Sequence, residues 1–200
     1  DTGILNDSTE HLLQDLRLFD ESTGYLKRAA ILLFHPDPEK YFTGAYIKIG
    51  FFLKGDDDLA FQDEVHGSLM EQIDKAYDLL TSKYITYAIS YEGVSRREKS
   101  TFPEAALRES LLNSIAHKDY DSGIPVQISV YPDRIVFWNP GALPDQMPLN
   151  KLFQKHSSIP FNPDVANALF RSGDIEAWGR GYRKILNSVL ENKQLPPQIE

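Results

Sequence analysis

Phe102-Pro103-Glu104-Ala105-Ala106-Leu107-Arg108-Glu109-Ser110-Leu111-Leu112-Asn113-Ser114-Ile115-Ala116-His117-Lys118-Asp119-Tyr120 is the stretch from which the rest of the chain can be read. Pro103 suits the first turn of a helix, and the spacing predicts that helix to about His117. Leu107, Leu111 and Ile115 recur every four residues, and Glu109, Asn113 and His117 do the same, offset by two. At about 100° per residue that offset is about 200°, so the two sets lie on opposite faces. One face packs; the other presents a carboxylate, an amide and an imidazole in a row. A solvated stripe on an ordinary helix has the same spacing, so residues elsewhere in the chain must decide between the two.

Downstream, the pattern predicts strands over Val126–Val130 and Arg134–Trp138, joined by a tight turn at Pro132-Asp133. Asn139-Pro140-Gly141 ends the second strand sharply. The segment 142–173 reads as loop-rich, with a short helix capped by Asn162 and started by Pro163. A last helix begins after Gly179-Arg180-Gly181, with Ile185, Leu186, Val189 and Leu190 on one face. Free backbone amides and the helix dipole at such a start favour phosphate. Trp138 and Trp178 flank the two glycine turns; packing in the core or at a hinge is preferred over stacking on a base.

Upstream, Asp7 and Glu10 have capping-box spacing before Leu12, Leu13, Leu16 and Phe19, which recur helically. Tyr25 to Phe34 is a helix or a buried strand, stopped by His35-Pro36-Asp37-Pro38. Ala45 to Leu53 alternates as a half-buried strand, Leu69, Ile73, Ala76 and Leu80 mark an amphipathic helix, and Tyr84 to Tyr91 alternates again. Residues 92–100 are polar and basic and read as a linker or exposed loop.

With 200 residues, 42% of them apolar and 25% charged, the chain can bury a sizeable core. The absence of cysteine excludes disulfides, thiolate catalysis and Cys-based zinc sites. A net charge of −8 weighs against this segment being a main nucleic-acid surface. The longest apolar run, Ala29 to Phe34, is too short to span a bilayer, and a cytoplasmic protein with no membrane partner is expected. His11, His35, His66, His117 and His156 show no metal-binding spacing; Asp56-Asp57-Asp58 reads as a solvated turn, and Ser157-Ser158 as polar lid-loop residues.

Residues 102–120, followed in order by Asp133-Arg134-Ile135-Val136-Phe137-Trp138-Asn139-Pro140-Gly141-Ala142-Leu143-Pro144 and by Gly173-Asp174-Ile175-Glu176-Ala177-Trp178-Gly179-Arg180-Gly181, resemble the C-terminal domains of RecG-like helicases and related transcriptional regulators. The helical signature of that family reads P-x-x-A-L-R-E-A-x-x-N-A-x-x-H-R-D-Y, and its modules are divergent GHKL-type ATP-binding domains. The resemblance covers residues from about 20 to 200 and is sharpest between 102 and 185.

It implies an α+β chain of two lobes. Residues 1–100 would form an N-terminal α/β lobe, winged-helix-like or a linker plus strand-helix-strand. Residues 101–200 would form a GHKL-like α/β sandwich, a mixed sheet covered by helices and truncated at its C-terminus. An upstream AlbA- or Schlafen-type domain, through which DNA would be bound, would be missing. ATP and Mg²⁺ are the implied ligands. Glu109 would be the general base orienting a water, Asn113 a nucleotide and Mg²⁺ ligand, and His117, Asn139, Gly141, Gly179, Arg180 and Gly181 the rest of the nucleotide site. Lys118 and Asp119 read equally well as an ion pair closing the helix end.

Two departures stand out. GHKL enzymes read adenine with an aspartate in a D-x-G-x-G box, where this chain has Asn139-Pro140-Gly141-Ala142-Leu143, and the second glycine turn is short. A Mg²⁺-dependent ATPase is therefore set against a degenerate scaffold that serves in homodimerisation or partner docking. A Walker A sequence is absent, as are helicase motor motifs, so helicase activity by this chain alone is not expected.

Overall fold

The computed structural model describes residues 8–85, 87–92, 95–144, 147–152, 154, 157–173 and 179–199, with 87–92, 95–99 and 150 in backbone only. Its central element is a four-stranded mixed sheet of β3 (Ile47–Phe52), β4 (Leu59–Val65), β7 (Val126–Val130) and β8 (Ile135–Trp138), in the order β4-β3-β7-β8. β3 runs parallel to β7, with Ile47 opposite Val126 and Ile49 opposite Ile128, while the two outer pairings are antiparallel. The strands on either side of residue 100 therefore share one ladder.

Alternation decides which face is covered. Ile47, Ile49, Val65, Val126, Ile128 and Val130 are all at most 3% exposed. They join one core with α3 (Leu69–Leu79) and α4 (Glu104–Ala116) through Leu69, Ile73, Ala76, Leu107, Leu111, Leu112 and Ile115. Fully burying each such aliphatic side chain stabilises by about 1.5–3 kcal/mol. The architecture is α+β, a mixed sheet covered by helices. Lys48, Gln127, Val136 and Trp138 fall on the opposite face.

Ser8 caps α1 (Thr9–Asp15), accepting from the His11 amide; the Asp7 expected there lies outside the described residues. The ambiguous stretch 25–34 divides into β2 (Tyr25–Leu26), paired with β1 (Phe19–Asp20), and α2 (Arg28–Phe34). Residues 95–100 are not a loop but β6 (Ser95–Ser100), a hairpin partner of β5 (Tyr87–Glu92). The backbone ladder of a hairpin needs no apolar alternation, so a polar strand carries no signal in its sequence. α5 (Leu149–Leu152), α6 (Pro163–Arg171) and α7 (Gly181–Glu191) complete the chain. Among the described residues, no helix is long and apolar enough to cross a membrane.

Ser68 starts α3 with a full capping box to Glu71. Just before it, His66 stacks on Tyr46, with Nδ1 2.6 Å from Glu39 and Nε2 3.4 Å from Glu64, which also pairs with Lys48. The hydrogen bond to Glu39 raises the His66 pKa above its ordinary 6.5, so the protonated form is favoured on folding. Its stabilisation is complete below about pH 6.5 and is lost as the pH rises through the raised folded value. At a half-exposed site this amounts to under about 1 kcal/mol. Denaturation of wild type and His66→Gln at pH 6 and pH 9 tests it: the gap between them closes at the higher pH. A gap unchanged between the two would rule the linkage out.

Candidate functional site

Glu109 and Asn113 lie one turn apart on α4, and the start of α7 covers them. Glu109 is only 8% exposed, so the polar stripe is not a solvated face. An added Cβ at Gly181 would stand 2.5 Å from Glu109 Oε1 and 3.1 Å from Asn113 Nδ2, so glycine lets α7 close on α4 here without displacing those two side chains. Asn113 Nδ2 donates to Glu109 Oε1 at 3.4 Å, and Lys184 Nζ lies 3.9 Å from Glu109 Oε2. Lys184 does not stand out in the sequence pattern. Its spacing of three residues from Gly181 is the available signal.

Gly179 turns the chain into α7 with φ +62°, a conformation that favours glycine. Arg180 is the N-cap residue and its side chain makes no capping hydrogen bond. The segment Gly179-Arg180-Gly181-Tyr182-Arg183-Lys184 carries three cations and no acid in a chain of net charge −8.

The second glycine turn meets the other end of α4. A Cβ at Gly141 would stand 2.7 Å from the His117 carbonyl oxygen, and the Asp119 amide donates to the Pro140 carbonyl at 2.7 Å. Asn139 is half-buried beside them. Burial lowers the His117 pKa from 6.5, keeping the imidazole neutral at pH 7. The eight steps along the helix from Glu109 to His117 span about 12 Å at about 1.5 Å per residue. One glycine turn therefore sits at each end of a polar stripe about as long as an extended nucleotide.

Several expectations need correcting. Lys118 and Asp119 do not close the helix as a side-chain ion pair. Lys118 is 1% exposed; its ammonium donates to the Asp119 backbone carbonyl at 3.2 Å and lies 4.6 Å from the centre of the Tyr120 ring. Burial pushes its pKa down to about 8. The Asp119 carboxylate instead accepts from the Asp121 amide at 2.9 Å. Asn162 does not cap α6 with its side chain; it donates to the carbonyls of Ala116 and Lys118, tying down the end of α4. Trp138 is not a core residue, being 45% exposed on β8. Asp56 is held by the Tyr131 hydroxyl. His156 and Trp178 lie outside the described residues. Among the described residues, no group of three or more His, Cys, Asp or Glu side chains could hold a metal.

The crystal structure of the DIP2311 protein from Corynebacterium diphtheriae resembles this chain with a TM-score of 0.81 at 20% identity, a likeness of fold. The match covers 100% of this chain and 40% of that one, so this chain spans less than half of its length. No curated protein matches. Residues 123–200 match the family described as "Putative ATP-dependent DNA helicase recG C-terminal", a segment that contains both glycine turns and begins after Glu109, Asn113 and His117. On that match the segment 123–200 is similar to a RecG C-terminal, ATPase-like module, and α4 lies before it.

Proposed function

We propose that this region binds a Mg²⁺–nucleoside triphosphate along α4, ATP being the expected ligand, and hydrolyses it slowly or uses it as a switch. The observation that carries the reading is Gly181, which brings the start of α7 against Glu109 and Asn113. The phosphates would lie at that end, facing the α7 backbone amides and Arg180; the base would lie toward Asn139, Gly141 and His117.

The donor set fits a magnesium ion that keeps waters and phosphate oxygens as most of its ligands. With the Asn113 amide nitrogen turned to Glu109, its carbonyl oxygen is the atom left to face such an ion. When bound, Mg²⁺ would neutralise phosphate charge. Glu109 would take a proton from water as its oxygen bonds the γ-phosphorus, while the bond to the β-γ bridging oxygen breaks and the diphosphate leaves. At the base end, the Asn139 amide can both donate and accept, where a carboxylate could only accept. A transcriptional or DNA-processing role, with DNA bound by another part of a longer cytoplasmic protein, completes the proposal.

Isothermal titration of ATP, with and without Mg²⁺, tests it. Binding that needs Mg²⁺ and falls at least tenfold in Asn113→Ala is expected. Glu109→Gln retains binding and loses about 100-fold or more in turnover, the usual scale of a lost general base. Unchanged turnover in Glu109→Gln would remove the catalytic half of the proposal. The second reading, a scaffold for homodimerisation or partner docking, is motivated by Asn139 standing where GHKL enzymes have aspartate. Absence of ATP binding in any condition would favour it.

A further inference from the structure

Lys184 sits on the first turn of α7, three residues after Gly181, with its ammonium 3.9 Å from Glu109 Oε2. The two sides of the pair differ sharply in exposure: 42% for the lysine side chain and 10% for the glutamate. The carboxylate is fixed, held on its other oxygen by Asn113, while much of the lysine stem lies in solvent. Side chains on a helix lean toward its N-terminus. A lysine at 184 therefore reaches back past Gly181, toward the place where the phosphates would lie.

We propose that Lys184 is a mobile counter-ion for the site: it pairs with Glu109 in the unliganded protein and moves to the phosphate oxygens when a nucleoside triphosphate binds. This rests on the nucleotide reading and adds a residue to it. The consequence is a built-in exclusion. While Glu109 holds the lysine its charge is already answered, and arrival of a polyphosphate both recruits the lysine and releases the carboxylate to accept a proton. A ligand without phosphates gains nothing from Lys184, so the device discriminates by phosphate charge rather than by base.

The test titrates ATP and adenosine, each with Mg²⁺, into wild type, Lys184→Met, Glu109→Gln and the double variant. Lys184→Met is expected to lose about tenfold or more in ATP affinity, the scale of a hydrogen bond to a charged group, with adenosine unaffected. Lys184→Arg, which keeps the charge, stays within a few-fold of wild type and controls for folding. Glu109→Gln removes the charge that pairs with the lysine and binds ATP several-fold more tightly, and that gain disappears in the double variant. Wild-type ATP affinity in Lys184→Met, or a gain from Glu109→Gln that survives without the lysine, overturns the proposal and leaves the nucleotide site standing. Failure of the wild type to bind ATP overturns both.

Discussion

Gly44→Ala is expected to destabilise the fold by about 3 kcal/mol, the upper part of the range for forcing extra atoms into a packed site. A Cβ at Gly44 would stand 2.6 Å from the Gly123 carbonyl carbon, 2.7 Å from the Ile124 nitrogen and 2.8 Å from the Gly123 oxygen. All three are main-chain atoms, so no rotamer change relieves the clash. Their position makes retreat costly. Gly123, at φ +69°, ends the turn after α4, and the next rung is the first of the parallel β3–β7 ladder, where the Val126 amide donates to the Tyr46 carbonyl at 3.2 Å. Pushing the two segments apart loosens the ladder that joins the two halves of the sheet. Ala45, at 1% exposure, is pulled from the core with it. Denaturant unfolding of Gly44→Ala should show a large fall in midpoint. Gly24→Ala is the comparison: Gly24 also has a positive φ, +73°, but nothing lies within 4 Å of an added Cβ, so it should cost only about 1 kcal/mol. Equal losses in the two variants would show that backbone conformation, not the contact with Gly123, sets the effect.

That contact also explains what the sequence could not reveal. β3, α3, α4, β7, β8 and α7 are each legible because their apolar residues recur with a period of two or about four. β4 leaves no such mark, because an edge strand with Leu59 45% and Phe61 37% exposed, and only Val65 of its residues buried, has no apolar alternation to detect. The parallel pairing of β3 with β7 joins residues roughly eighty positions apart, and local periodicity cannot report it.

The site shows the same limit. The stripe Glu109, Asn113, His117 and the two glycine turns are legible as motifs, and the structure brings Gly181 to one end and Gly141 to the other. The sequence could not show that a second helix buries the stripe, because amphipathic reading of α4 treats a polar face as a solvated one. Nor could it place Lys184, whose role depends on which side of α7 meets α4. Trp138 is misplaced for the converse reason: alternation in β8 fixes which residues share a face, but not which face is covered.

Gly181→Val is the second large effect expected, and it acts on stability and binding together. Replacing glycine by a residue with a side chain in an exposed helix interior is ordinarily favourable, by about 1 kcal/mol for alanine. Here the sign reverses. The first atom added would lie 2.5 Å from Glu109 Oε1 and 3.4 Å from its Cδ. Glu109 can give a little, since the clash is with the end of its side chain, but it is 8% exposed and held by Asn113 and Lys184. Alanine at 181 should therefore cost rather than gain. Valine, with two further methyl groups, must lift α7 off α4, at about 2 kcal/mol. Lifting α7 removes its backbone amides and Arg180 from the proposed phosphate end, so the proposed Mg²⁺-dependent ATP binding should fall below detection. Removing the obstacle separates the two losses. In Glu109→Ala/Gly181→Val the valine methyls occupy the volume the carboxylate leaves, and most of the stability penalty of Gly181→Val is recovered, a coupling expected only of residues in contact. Additive penalties would mean that the two residues do not share this contact. An ordinary stabilising Gly181→Ala would go further: the carboxylate would then not be pinned against α7, and the pairing with Lys184 would lose its structural basis as well.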